Sequence, residues 1–247
     1  MSLPVHLHPD LAGARPGSVV RVEGDEAHHA VAVRRLAVGE QVRLVDGAGR
    51  AVTGAVTATA KRALEVEVAD VVDVPAPVPA VTVVQALPKG DRGELAVEVL
   101  TEVGVERVVP WAAARSVAVW RGERATKAHA RWSATAREAA KQARRAWFPT
   151  VAPLASTADA AALLAPLDVV LVLHEAATAP LASVALPADL RSVGVVVGPE
   201  GGLTDEELAA FEAAGATTVR LGDEVLRTST AGVVAVAALL ARTSRWA

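Results

Sequence analysis

The sequence predicts an α/β protein in two parts, a small β-barrel over residues 1–74 and a larger domain over 75–247 in which helices cover a mostly parallel sheet. Three observations carry this. Valine-rich, partly alternating runs fill the first part. Asp73-Val74-Pro75-Ala76-Pro77-Val78-Pro79 is a stiff, proline-rich linker. After it, short apolar runs alternate with amphipathic stretches, the βαβ signature of a parallel sheet.

Composition bounds the rest. The 247 residues are 52% hydrophobic and 21% charged, ordinary for a globular protein able to bury a core. There is no cysteine, which excludes disulfides, zinc–thiolate sites, iron–sulfur clusters and a cysteine nucleophile. The start, MSLPVHLHPD, lacks a basic region followed by an apolar run, and the longest apolar run, Ala231–Ala241, is too short to span a bilayer. A cytoplasmic protein is expected. His6, His8, His28 and His29 lack the carboxylate spacing of a metal site, so no metal is expected. The net charge is −3, but Arg115 to Arg145 holds nine basic residues against Glu123 and Glu138. Such a segment is either a solvated helix face or an electrostatic footprint for a phosphate backbone.

In the first part, strands are expected at Ser18–Val22, Glu40–Val45, Arg50–Thr57 and Leu64–Val72, with Asp46-Gly47-Ala48-Gly49 as a hairpin turn. Asp25 to Leu36 reads as a short helix ending in Arg34 and Arg35, followed by Gly39 as a turn residue. In the second part, Val81–Leu87 reads as a strand, Pro88-Lys89-Gly90-Asp91-Arg92 as a polar loop, Glu94–Val103 as a helix ended by Gly104, and Arg107–Trp111 as a strand. Glu123–Ala146 is helix-prone, with Glu138, Gln142 and Arg145 on one face. Asp168–His174 reads as a buried strand that ends in His174-Glu175.

Val193–Val197 reads as another strand, and Gly198-Pro199-Glu200-Gly201-Gly202 then forces a tight turn. Thr204 and Glu207 form a capping box, reinforced by Asp205 and Glu206 at the positive end of the helix dipole. Gly215 ends that helix. A strand at Thr217–Leu221 delivers a second loop, Gly222–Thr230, beyond the strand ends, where open α/β sheets place ligands. Taken alone, GPEGG is a strand-to-helix connector; its glycine spacing fits neither a Rossmann fingerprint nor a P-loop. Ala231–Arg242 is apolar almost all round and therefore a buried helix.

GPEGG followed by Leu221-Gly222-x-x-Val225-Leu226-Arg227-Thr228-x-Thr230-Ala231 resembles the RsmE-type 16S rRNA (uracil-N3)-methyltransferases of the SPOUT superfamily. The likeness extends over nearly the whole chain: His28-His29 with Val33 to Leu36 and Asp46-Gly47-x-Gly49, LPKGDR, the run ending at Arg115-Ser116-Val117, and Glu138-Ala139-x-x-Gln142-x-x-Arg145. It implies a SPOUT-type sheet with a trefoil knot made by the last helix, a PUA-like barrel that holds RNA, and a homodimer formed through the knotted region. It implies S-adenosyl-L-methionine as cofactor and 16S rRNA of the small ribosomal subunit as partner.

Carried over residue by residue, the resemblance implies cofactor binding by Leu173, His174 and Glu175, by Gly198, Pro199, Glu200, Gly201 and Gly202, and by Leu221, Gly222, Val225, Leu226 and Thr228. Arg34, Arg35, Lys89, Arg92, Gln142 and Arg145 are the implied RNA contacts. The sequence departs from the family at Val5-His6-Leu7, where an arginine–aromatic pair is usual, at Glu224 and Ser229, where arginine and glutamate are usual, and at Arg144, which replaces a small residue. Uracil N3 becomes nucleophilic only as negative charge builds over the ring, so the reaction needs alignment and a nearby cation. Arg227 is the expected source of that cation, or else a structural arginine tied to Glu200 or Glu224. Two other functions stay open: a non-catalytic RNA- or ribosome-binding protein, and a methyltransferase acting on tRNA or a ribose 2′-hydroxyl.

Overall fold

The computed structural model describes residues 3–246, which form two compact units. The first runs to Ala76 and also takes in Ala140–Phe148; the second is Pro77–Ala139 with Pro149 onward. The return of Ala140–Phe148 to the first unit differs from the simple division at the proline linker that the sequence suggests.

The first unit is a five-stranded sheet, β1 (Val5–Leu7), β2 (Val19–Glu23), β3 (Gln41–Val45), β4 (Arg50–Ala60) and β5 (Ala63–Asp73), in the order β1-β3-β4-β5-β2. All pairs are antiparallel except β1 with β3. The alternation read in the sequence is real: Val20 and Val22 point inward to meet Leu44, Val52, Leu64 and Val66, while their neighbours face solvent. The Asp46 carboxylate accepts from the amides of Ala48 and Arg50 and so fixes the β3–β4 turn. The helix expected over residues 25–36 is shorter: α1 (Gly24–His28) passes into a π-helical turn, His29–Val33. Arg35 then closes the segment with φ of +58°.

A buried polar cluster ties this unit together. Glu26 Oε1 lies 3.1 Å from His6 Nδ1, and Lys141 Nζ reaches the same carboxylate at 2.9 Å. His6 and Lys141 are both buried. Because an ionised carboxylate only accepts, Nδ1 of His6 carries the proton here; Nε2 has no hydrogen-bond partner. Burial alone would raise the Glu26 carboxyl, but hydrogen bonds from His6 and Lys141, and then the Lys141 charge, hold it down at about 2. A depressed carboxylate contributes stability that is present above its unfolded value of 4.5 and is lost as pH falls toward 2. Its contribution near neutral pH is on the order of 2 kcal/mol. In urea unfolding, Glu26→Gln should therefore be clearly less stable than the parent at about pH 7, with the gap closing below about pH 4. A gap that stays constant across that range would refute the assignment.

In the second unit the strands are β6 (Ala80–Ala86), β7 (Arg107–Trp111), β8 (Thr150–Val151), β9 (Val169–Leu173), β10 (Ser192–Val197) and β11 (Thr217–Val219), all parallel, in the order β11-β9-β10-β6-β7-β8. The helices are α2 (Arg92–Val103), α3 (Gly122–Gln142, whose last turn belongs to the first unit), α4 (Thr157–Leu164), α5 (Asp205–Ala213) and α6 (Thr228–Leu240). Because helices cover both faces, β6 and β10 are apolar and buried almost end to end. Alternate residues serve opposite layers. Val83, Val195 and Val197 pack with Val97 and Leu100 of α2 and Val236 and Leu239 of α6, while Val84, Val172 and Val196 pack with Leu164 of α4 and Phe211 of α5.

Several elements differ from the sequence reading. α3 stops at Gln142 and not at Ala146, because Arg145 N donates to Ala140 O and Arg144 N to Lys141 O, a double-bonded helix stop. Arg144 sits there at φ of +55°, a left-handed conformation that costs a non-glycine residue roughly 1–2 kcal/mol. α6 begins at Thr228, so the end of the expected second loop is a helical first turn. β8 and α4 were not read at all, although Ser156 and Asp159 form a capping box at the start of α4. Among the described residues, no helix is long and apolar enough to cross a membrane.

Candidate functional site

The C-terminal ends of parallel strands share one edge, and three adjacent strands, β11, β9 and β10, deliver their following loops to it. The loops are Leu173-His174-Glu175, Gly198 to Gly202, and Leu221 to Thr228. They line one cavity of about 640 Å³, a size suited to a small organic ligand. All thirteen residues that the resemblance assigns to cofactor binding line it, as do Arg92 and Arg227. Val197, Leu203 and Ala231 add apolar wall.

The GPEGG loop is held on several sides. Glu200 Oε1 accepts from the amide of Lys89 at 3.3 Å, tying GPEGG to the LPKGDR loop. Thr204 and Glu207 form the predicted capping box at the start of α5. The buried Glu207 carboxylate has a second task, accepting from Ala114 N at 2.7 Å. Arg115 Nη1 donates to the carbonyls of Leu203 (3.2 Å) and Gly201 (3.4 Å). Gly201 has no room for a side chain: a Cβ there would stand 2.9 Å from Arg115 Cβ and 3.0 Å from Arg115 O. Gly202 turns at φ of +74°, which explains the glycine pair.

Arg227 is the N-cap of α6, and its carbonyl accepts from the amides of Thr230 and Ala231. Its side chain is exposed at the cavity. Among the described residues its guanidinium makes no ion pair with Glu200, Glu224 or any other carboxylate, so the structural tie considered above is not formed. The positive end of the α6 dipole adds to the potential of that cation. Below it, the buried Gln85 donates Nε2 to Thr228 O at 3.2 Å and to Ala86 O at 3.1 Å, anchoring the first turn of α6; its Oε1 is buried without a partner. Arg220, also on the lining, is paired with Asp223 at 3.0 Å.

Gln85 and Arg115 were missed as site residues. An amide in an otherwise apolar strand was the available signal for Gln85. Arg115 lay within a noted motif, but only the fold brings it against a loop 86 residues away.

The proposed RNA contacts divide between the units. Lys89 and Arg92 belong to the second; Arg34, Arg35, Gln142 and Arg145 belong to the first, where all but the half-buried Arg145 are exposed. Among the described residues no group of histidine and carboxylate side chains could hold a metal ion.

A six-stranded parallel sheet whose loops enclose a ligand-sized cavity defines a cofactor-binding α/β domain, and the comparisons specify its class. Residues 74–240 match the family model described as an RNA methyltransferase domain, and residues 22–69 match the RNA methyltransferase PUA domain. The ribosomal RNA small subunit methyltransferase E of Mycobacterium bovis is 47% identical over 238 residues, which cover 93% of this chain and 89% of that one. Among solved structures, the enzyme of the same name from Neisseria gonorrhoeae, bound to S-adenosyl methionine, superposes with a TM-score of 0.85 at 26% identity over 98% of each chain. A Legionella pneumophila protein in complex with SAM gives a TM-score of 0.88 at 26% identity, over 98% of this chain and 99% of that one. The chain belongs to the ribosomal RNA small subunit methyltransferase E family.

Proposed function

We propose that this protein methylates 16S rRNA of the small ribosomal subunit at N3 of a uridine, using S-adenosyl-L-methionine as methyl donor, in the cytoplasm. The observation that carries the reading is the convergence of three strand-end loops and Arg227 on one cavity. The residues fit the cofactor. Adenine needs an apolar slot and backbone groups along its edge, and Leu173, Val197, Leu203 and the bare GPEGG and Leu221–Leu226 backbones offer both. When bound, the cofactor supplies an electrophilic methyl group on a sulfonium. The chain's part is to hold the target base in line and to place positive charge where the uracil gains negative charge as its N3–H bond breaks and the proton passes to solvent. Arg227 is the group for that task, and Arg34, Arg35, Lys89, Arg92, Gln142 and Arg145 are the proposed contacts to the RNA.

The decisive experiment digests 16S rRNA from small subunits that lack the modification after incubation with enzyme and cofactor. The expected product is 3-methyluridine. A 2′-O-methyl nucleotide, or no methylated product at all, would overturn the reading.

We extend the proposal to a homodimer with the last helix threaded through a knot. α6 buries Val236, Leu239 and Leu240 but leaves the apolar Val234 and Ala238 exposed, and Val117 and Val119 of the same unit are also open to solvent. Light scattering at micromolar concentration should give twice the chain mass; a monomer mass would count against an interface of this kind.

A further inference from the structure

Two exposed arginines of the first unit hold a backbone conformation that glycine fills without strain. Arg35 and Arg144 are the non-glycine residues with positive φ among those described. Arg144 occupies the left-handed position of the double-bonded stop of α3, where glycine is the usual occupant. The turn is fixed on both sides. Before it, the buried Lys141 is paired with Glu26; after it, Trp147 Nε1 donates to Val74 O at 2.8 Å and Phe148 N to Gly47 O at 2.9 Å. Arg144 therefore cannot relax into a regular conformation by moving the segment.

Among the described residues nothing offsets that strain in full. The Arg144 side chain is exposed, and among the described residues it makes no hydrogen bond or ion pair. A cation does interact favourably with the C-terminal end of a helix dipole, but one residue earlier, in helical conformation, it would do so without strain. Backbone strain that persists without internal compensation points to a role outside the chain. The immediate surroundings, Gln142 and Ala143, are exposed as well, so the crest of the turn is open to a large ligand.

We propose that Arg144 binds an RNA phosphate. The proposal rests on reading the protein as an RNA methyltransferase. It adds a cationic contact at a position where a glycine would give the same fold more comfortably, so affinity for the polyanion has been gained against local stability.

The test compares the full chain with Arg144→Gly and Arg144→Lys, using an unmodified 16S rRNA transcript. Binding is measured between about 50 and about 200 mM salt, alongside thermal melting. Arg144→Gly should melt at the same temperature or up to about 3 °C higher. It should bind roughly three- to tenfold more weakly, with the log–log salt slope smaller by about 0.7–0.9, as one fewer counterion is released. Arg144→Lys keeps the charge and should keep the slope. Parental affinity and slope in Arg144→Gly would overturn the proposal, as would a melting temperature lowered by several degrees, which would make the arginine structural. Failure of the parent itself to bind unmodified 16S rRNA, both as a transcript and within small subunits, would instead bring down the reading of 16S rRNA as substrate on which the proposal rests.

Discussion

Arg227→Ala is expected to lower kcat by about 10²–10³-fold, equivalent to about 3–4 kcal/mol of transition-state stabilisation. The size follows from the role proposed for the arginine. Neutral uracil becomes nucleophilic only as its N3 proton is lost and negative charge builds over the ring, so a fixed cation interacts more strongly with that charged, reacting form than with the neutral bound base. Arg227 is fixed by position rather than by partners: its backbone is the N-cap of α6, whose first turn is anchored by the buried Gln85 through Thr228 O. Its guanidinium, unpaired among the described residues, keeps its full charge for the ligand. Cofactor affinity should change much less than turnover. Single-turnover kinetics on unmodified small subunits, with calorimetric titration of the cofactor, separates the two. Near-parental turnover in Arg227→Ala would remove the arginine from the chemistry.

The second large effect is expected at Gly201. Valine there places a Cβ 2.9 Å from Arg115 Cβ and 3.0 Å from its carbonyl oxygen, closer than such atoms approach. Arg115 cannot simply swing away, because one contact is to its backbone and its guanidinium is engaged with the carbonyls of the same loop. The GPEGG loop must therefore move, and the backbone edge it presents to the cavity moves with it. Cofactor affinity should fall by at least about 100-fold, roughly 2.7 kcal/mol. Gly201 is exposed and outside both core layers, so the melting temperature should shift by only a few degrees. Calorimetry giving an unchanged dissociation constant would refute the loop's role.

Local chemistry made much of this site legible in the sequence. Glycines at a strand end announce a bare loop, and the Thr204–Glu207 spacing announces the helix after it, because both signals act over a few residues. What stayed hidden depends on residues far apart in the chain. Glu26 and Lys141 are separated by 115 positions, and neither the ion pair nor the return of Ala140–Phe148 to the first unit leaves a mark in composition or period. Arg115 was counted as one charge in a basic segment, yet its geometry makes it a brace for GPEGG. The left-handed backbone at Arg144 was unreadable for a different reason: the residue type that normally signals it is missing.

The return of Ala140–Phe148 also sets an order on the birth of the molecule. A ribosome making this chain releases the carboxylate of Glu26 early, but its lysine, at position 141, emerges only after β6, α2 and β7 of the second unit. Until Lys141 has been made, the Glu26 carboxylate lacks its cation. A fragment cut at the proline linker would hold Glu26 and His6 without Lys141 and without the Trp147 that donates to Val74. Although it comes first in the chain, the N-terminal unit is completed from within the second.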